Sequence, residues 1–504
     1  MKQIFSIAIF FFSFYYSSYS QKVTYSETSK SDGRNMNFEI IGKMGGNFLI
    51  YKKIKSNHTI NIYDNNMQVM EKVKLDFVPD RTFNIDFIIY PDFFYMIYQY
   101  QKKGILYCMG AKMNAAGVKV NDPVMMDTTA ISTFADNKIY STVFSEDKQK
   151  IMVFKIRKKN ELLNITTILF DKELKLVNKT LQSSPFDDRR DEYGDFLLDN
   201  EGNFLFTKGI KPNNRDDVNS LQLVTKAPLA DTFNYYDLNL NDKYIDEIHV
   251  KVDNLSKKYI ITSLYYKKKR GNIEGLYTNI WDKTSAISTS DFVNFSDSLR
   301  AEARGNQQSR NAFDDYFIRQ IVAQKDGGFL LIAESYATQN RGGSTFNRYN
   351  YFNRYPYFSS MDYYRYSPSG LWFYRPWNSF DNSQNIRYFY NNIMVLSINK
   401  NAGLNWSAVI QKDQIDDDND NYLSFFSMNA GTEIHFLFNN NNKNQIVADQ
   451  SINPSGQITR NATLKSMEKG YQFMPKFSKQ VSAKQIIMPC TYRGLVCFAK
   501  VDFD

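Results

Sequence analysis

The stretch Gln324–Glu334, QKDGGFLLIAE, sets a charged turn and two glycines in front of an apolar run. Relatives of the same phrase stand at Lys43–Tyr51 (KMGGNFLIY) and Asn200–Thr207 (NEGNFLFT). A glycine turn followed by a short run of Phe, Leu and Ile reads as a hairpin entering a strand buried on both faces. If that reading holds, similar runs should recur along the chain. Eight do, beginning at Phe48, Phe93, Ile151, Phe204, Tyr259, Phe329, Ile434 and Ile486. Successive starts lie 45, 58, 53, 55, 70, 105 and 52 residues apart, so most cluster near fifty and one is about twice that.

Each run has companions. Around Phe48 the chain reads NFEIIGK, NFLIYKK, HTINIYD and QVMEKVKL, four short alternating segments separated by turn residues. Around Phe93 come TFNIDFIIY, FFYMIYQY, GILYCMGAK and a weaker AGVKV; around Ile151 come KIYSTVF, KIMVFKI, LNITTILF and LKLVNKTL. Four antiparallel strands repeated at about 50 residues are the blade of a β-propeller. The expected fold is all-β, an eight-bladed propeller, with seven blades as the alternative and tandem β-sandwiches as the competing architecture. After the run at Ile486 only GLVCFAKVDF remains, which leaves the last blade one strand short. The spare extended segment Lys22–Glu27 (KVTYSE) would complete it and close the ring.

The first twenty residues stand apart. Lys2 precedes an apolar core from Ile4 to about Tyr16, and Ser18 and Ser20 follow. That is the layout of a secretory signal peptide cleaved after Ser20. The core is shorter than the roughly 20 apolar residues of a membrane span. No later stretch resembles one, so the expected product is an exported chain without a transmembrane segment, with residues 21–504 as a single propeller domain.

The formal charge is +9 and 43% of residues are hydrophobic, with 40 Phe and 35 Tyr. This composition excludes a disordered chain and favours strands. The basic excess is scattered, as in Lys155–Lys159 and Lys268–Arg270, and reads as a solvated outer face or an attraction to polyanions. No nucleic-acid-binding module is present. Of three cysteines, Cys490 and Cys497 flank a turn at Arg493-Gly494 that would set them directly opposite one another. They are a disulfide candidate in an oxidising compartment, with two buried thiols as the other reading.

Between IAESYAT and NNIMVLSINK, Arg341–Tyr390 has no counterpart in the other repeats. From Phe346 to Tyr390, 18 of 45 residues are aromatic, with five Arg, two Asp and no Lys. Tyr, Trp and Arg are the types enriched at interface hot spots. Tyr363, Tyr364, Trp372, Tyr374, Arg375 and Trp377 are therefore candidates for a surface that grips an envelope protein or a glycan. A loop that collapses on its own aromatics is the alternative. By blade order this insertion joins the second and third strands of the sixth blade, on the same propeller face as the crossings between blades.

Those crossings are acidic: Asp80; Asp187, Asp188, Asp191 and Asp195; Asp242 and Asp246; Asp314 and Asp315; Asp416 to Asp418 and Asp420. Asp416, Asp418 and Asp420 alternate like the start of a calcium loop, but Asn421 and Ser427 stand where Gly and Glu are expected. Carboxylate pairs near an axial opening also suit glycoside cleavage, with Asp188, Asp315 and Asp417 as residues to test. Capping of exposed turns is the ordinary use of such aspartates. His58, His249 and His435 fit no metal spacing, and no nucleophile elbow or phosphate-binding glycine loop appears.

Trp-Asp, Kelch, sialidase-box and quinoprotein tryptophan-docking signatures are all missing. The export signal, the phrase DGGFLLIAE and the Asn/Tyr-rich insertion resemble exported propeller-type proteins of Bacteroidota. That resemblance implies a fold and a periplasmic, outer-membrane-associated or extracellular location, and carries over no functional residue. The absence of a further sorting domain argues against that group's dedicated surface-export route. The expected role is a non-enzymatic binding scaffold, with a carbohydrate-active enzyme as the alternative.

Overall fold

The computed structural model describes residues 21–28, 36–131, 139–187, 189–213, 217–269, 271–305, 312–340, 345–346, 386–417, 419–440, 446–465 and 470–503. Eight antiparallel sheets follow one another along the chain as the blades of a propeller. In blade one the order is Met36–Met44, Asn47–Ile54, Asn57–Tyr63 and Val69–Lys74, from inner to outer edge. All eight apolar runs are second strands.

Their composition follows from their position. A second strand is covered on both faces, because each blade is sandwiched between two others. Phe48 and Ile50 pack with Ile487, Val496 and Phe498 of blade eight. Leu49 and Tyr51, pointing the other way, pack with Phe87 and Phe94 of blade two. In blade six, Phe329, Leu331 and Ala333 face blade five, and Ile332 faces blade seven. Eight buried apolar clusters arise in this way, one between each pair of consecutive blades. The outer strand of blade one, covered on neither face, is charged and exposed.

The glycine turns have a steric cause. Gly327 has φ +84°, in the left-handed region, and a Cβ on Gly328 would stand 2.4 Å from the carbonyl oxygen of Ile398.

Closure occurs as the sequence suggests. Lys22–Tyr25 pairs antiparallel with Leu495–Asp502, Lys22 opposite Asp502 and Tyr25 opposite Ala499. The Ser26 amide donates to the Phe498 carbonyl, and the Phe498 amide donates back to Ser26 Oγ. Tyr25 stacks on Tyr471, ring centroids 4.2 Å apart.

Two local expectations are corrected. The outer strand of blade two is Val124–Ala130, not AGVKV, which forms a turn. Gly117 has φ +69° and its amide bonds back to Asn114, so the chain there reverses instead of extending. The insertion also ends earlier than Tyr390. Ile386–Ile398 is one continuous third strand, paired from Asn340↔Ile386 down to Phe329↔Ile398. Tyr390 is buried in the ring, against Tyr336. The long interval of 70 residues before blade six contains a helix, Asp297–Arg304, capped at its start by Ser296.

Candidate functional site

Three groups of charged side chains lie on the blades and the connections between them, and they differ in how completely their charges are matched.

The first lies at the root of the insertion. Glu334, on the second strand of blade six, accepts from Ser424 Oγ at 2.7 Å and Arg319 Nε at 3.2 Å, and pairs with Lys412 Nζ at 2.9 Å. Lys412 also donates to the Tyr390 carbonyl and to Gln414 Oε1. Burial pulls the Lys412 pKa down, and Glu334 opposes the drop. Beside it, Asp420 pairs with Lys476 at 2.8 Å and accepts from the Tyr390 hydroxyl at 2.7 Å. Burial works against the Asp420 charge, but Lys476 and Tyr390 outweigh it and hold the carboxyl below its usual range. Lys476 is brought inward by a 3-10 turn, Pro475–Phe477, that interrupts the inner strand of blade eight. At the surface, Arg387 forks onto both oxygens of Asp417.

The second cluster joins blades four, five and six. His249 Nδ1 meets Asp195 Oδ2 at 3.2 Å and its Nε2 meets Glu247 Oε1 at 3.1 Å. Asp195 also accepts the Val250 amide at 2.6 Å, and Glu247 accepts the Ile318 amide at 3.0 Å. Burial disfavours the imidazolium, yet the two carboxylates raise its pKa to about 10. A histidine so held is a fixed cation and is unsuited to act as a base near neutral pH.

The third is carried by the inner strands of blades eight, one and two. Glu39 lies on the inner strand of blade one, Asp86 on that of blade two (Thr82–Ile89), and Lys479 opens the strand Lys479–Ser482 of blade eight. Glu39 Oε2 and Asp86 Oδ1 are closed off from solvent and have no hydrogen-bond partner among the described residues. Burial, with Lys479 opposing and Asp86 adding, raises the Glu39 pKa to about 8.

The residues singled out by sequence divide accordingly. Tyr363, Tyr364, Trp372, Tyr374, Arg375 and Trp377 lie outside the described residues, as do Asp188, Asp418 and the signal segment. Asp187 caps its own turn through the Arg189 amide, and Asp191 and Asp195 belong to the inner strand of blade four instead of a crossing. Asp416 accepts the Asn419 amide while Asp420 is engaged by Lys476, so these two carboxylates serve different partners. No group of three metal-ligating side chains converges among the described residues. Cys490 stands directly opposite Cys497 as expected, their Sγ atoms 2.9 Å apart and both buried. His58 is neutral in the core, its Nδ1 2.6 Å from the Tyr51 hydroxyl, and His435 pairs with Asp449 at 2.9 Å.

Glu39, Asp86, Glu247 and Glu334 were not singled out by sequence. Glu39, Asp86 and Glu334 are each a lone acid within an apolar strand, as in NFEIIG and LLIAESY, and that isolated placement was the available signal; Glu247 stands beside Asp246 between two short strands and gave none.

No protein-family profile matches the chain, and no curated protein matches it significantly. Solved structures align along most of its length. The WD40 domain of SCAP from fission yeast aligns at 8% identity over 96% of this chain and 99% of its own, with a TM-score of 0.39. Prolyl oligopeptidase B from Galerina marginata aligns at 7% identity over 92% of this chain, with a TM-score of 0.41; the match spans 56% of that enzyme. The Synechocystis apocarotenoid oxygenase aligns at 8% identity over 89% of this chain and 94% of its own, with a TM-score of 0.35. At such identities and scores these likenesses assign no activity. The class is established by strand order and ring closure: the protein is an eight-bladed β-propeller.

Proposed function

We propose that the chain is an exported, non-enzymatic propeller that binds a protein or glycan partner of the cell envelope through its aromatic insertion. The observation that carries this reading is the mounting of the insertion. Strands Phe329–Asn340 and Ile386–Ile398 stay paired to their ends, across one irregularity at Glu334/Tyr336, and carry residues 341–385 between them. Both are longer than the other second and third strands. Their base is fixed by the buried Glu334–Lys412 pair and by Lys476, itself buried, against the partly exposed Asp420. A rigid mount lowers the ordering cost of binding, and the mounted segment is rich in the residue types that dominate interface energetics. Among the crossing aspartates, Asp417 and Asp420 are engaged by cations, which favours a structural role for them over glycoside cleavage. The N-terminal signal-like segment supports export to the envelope.

Joining Asn340 to Ile386 through an Asn-Gly turn tests the reading. The shortened ring should fold and lose partner capture in crosslinked pull-downs from native membranes. Recovery of the same partner by the shortened ring, or of no stable partner by the full chain, would refute it. Fractionation of cells carrying the full precursor tests export separately: retention of the uncleaved chain in the cytoplasm would remove that part.

A further inference from the structure

We propose that Cys490 and Cys497 form a disulfide that fixes the register of the closing hairpin, and with it the edge that receives the amino-terminal strand. The bond in cells rests on the export reading, which supplies an oxidising compartment. Strands Gln485–Tyr492 and Leu495–Asp502 are joined by Arg493-Gly494, with φ +51° and +77°. A two-residue turn with both residues left-handed matches the twist of the strands it joins, so this hairpin forms from local contacts. Both backbone groups of Phe498 turn to Ser26, so its neighbour Cys497 turns its amide and carbonyl toward Cys490. Directly opposed residues of that kind have Cα atoms about 5.5 Å apart, within the span a disulfide bridges. Their Sγ atoms lie 2.9 Å apart.

As the S–S bond forms, two thiols give up two protons and two electrons, and a disulfide oxidant such as oxidised glutathione takes them up and leaves as two thiols. This step precedes burial. In the closed ring the pair lies in one cluster with Met428, Leu437 and Val447 of blade seven, and Cys497 is 1% exposed. Burial, with Cys497 adding, raises the Cys490 pKa well above that of an ordinary thiol, so the finished ring offers no reactive thiolate there. The open hairpin lacks that cover. A lone hairpin is only marginally stable, and a covalent link lets it persist until its neighbours pack. A slip of one residue would turn one cysteine to the opposite face of the sheet. The link therefore closes in the register that presents Phe498 to Ser26. Tyr25 extends the hold, stacking on Tyr471, which itself stacks on Tyr492 with centroids 4.5 Å apart. Cys108, also buried, stands opposite Gln99 and Asp127 of its own blade and serves as an internal control.

Refolding the reduced chain with oxidised glutathione tests the geometry independently of compartment. Alkylation in denaturant followed by peptide mass spectrometry should find Cys490 bonded to Cys497 in most molecules and Cys108 outside that bond. The bonded ring should unfold at a higher urea concentration than the ring refolded in a phosphine reductant. The double variant Cys490→Ala with Cys497→Ala should unfold alike under both conditions. Absence of the bond, exchange of Cys108 into it, or equal urea midpoints for the bonded and reduced rings would overturn the proposal. Should the double variant fail to fold, the comparison on the unaltered chain decides alone. Chain isolated from cells carrying the precursor, with its thiols trapped in acid, separates this proposal from the export reading. Thiols at both positions in a cleaved, exported chain refute the disulfide. Thiols in an uncleaved cytoplasmic chain refute export, and the refolded chain then decides the bond.

Discussion

Lys412 brings its ammonium to 2.9 Å from the Glu334 carboxylate, and neither side chain is more than 1% exposed. Removing one partner from such a pair leaves the other charged and unmatched in the interior. Glu334→Gln should therefore cost about 3–5 kcal/mol. The double variant Glu334→Met with Lys412→Met should lose less than the single one, because it removes both charges. Equilibrium urea unfolding measures both, and a double variant weaker than Glu334→Gln would count against the pair as the source.

His58 gives the ring an acid limit. It is 2% exposed, and burial together with Lys53 lowers its pKa to about 4, with Asp80 opposing. An unfolded histidine titrates near 6.5. As pH falls from there toward 4, the unfolded chain takes up a proton that the folded ring does not, so stability declines. His58→Phe should flatten the fall in melting temperature over this window.

His249 acts with the opposite sign. Its folded pKa, raised to about 10 against burial by Asp195 and Glu247, lies above the unfolded value. Its contribution is complete below about pH 6.5 and is lost as pH rises toward 10. Asp195→Asn should lower the melting temperature near neutrality and reduce the alkaline slope. An unchanged slope would show that the imidazolium does not hold blades four and five together.

The glycine pair of blade six should be separable by substitution. Gly328→Ala forces its Cβ toward the Ile398 carbonyl, where only 2.4 Å is available, and should destabilise by about 2 kcal/mol or more. Gly327→Ala, limited by its left-handed backbone, should cost about 1 kcal/mol. Thermal or urea melts of the two variants would order them.

The fold was legible because each second strand must satisfy two neighbours. Runs such as FLIY and FLLIA carry no polar gap and announce themselves at every repeat. The outer strand of blade two was harder to recognise, since VMMDTTA has apolar residues exposed at the rim and Asp127 buried under Lys155. The polar sites were less legible still. Glu39 and Asp86 come from separate blades, and only closure of the ring sets Lys479 beside Glu39. The crossing aspartates were easier to see because they cluster in sequence. Three of them, Asp187, Asp416 and Asp420, proved to be bound by local amides or a nearby lysine.

The seam between Lys22–Tyr25 and Leu495–Asp502 also imposes an order of assembly. Ser26 and Phe498, which exchange hydrogen bonds there, are 472 residues apart in the chain. During synthesis the amino-terminal strand has no mate until the ribosome has finished almost everything else. Contacts so distant in sequence are slow to form. A chain cut short before Leu495 would leave Lys22–Tyr25 without its mate and blade eight with an open, adhesive edge.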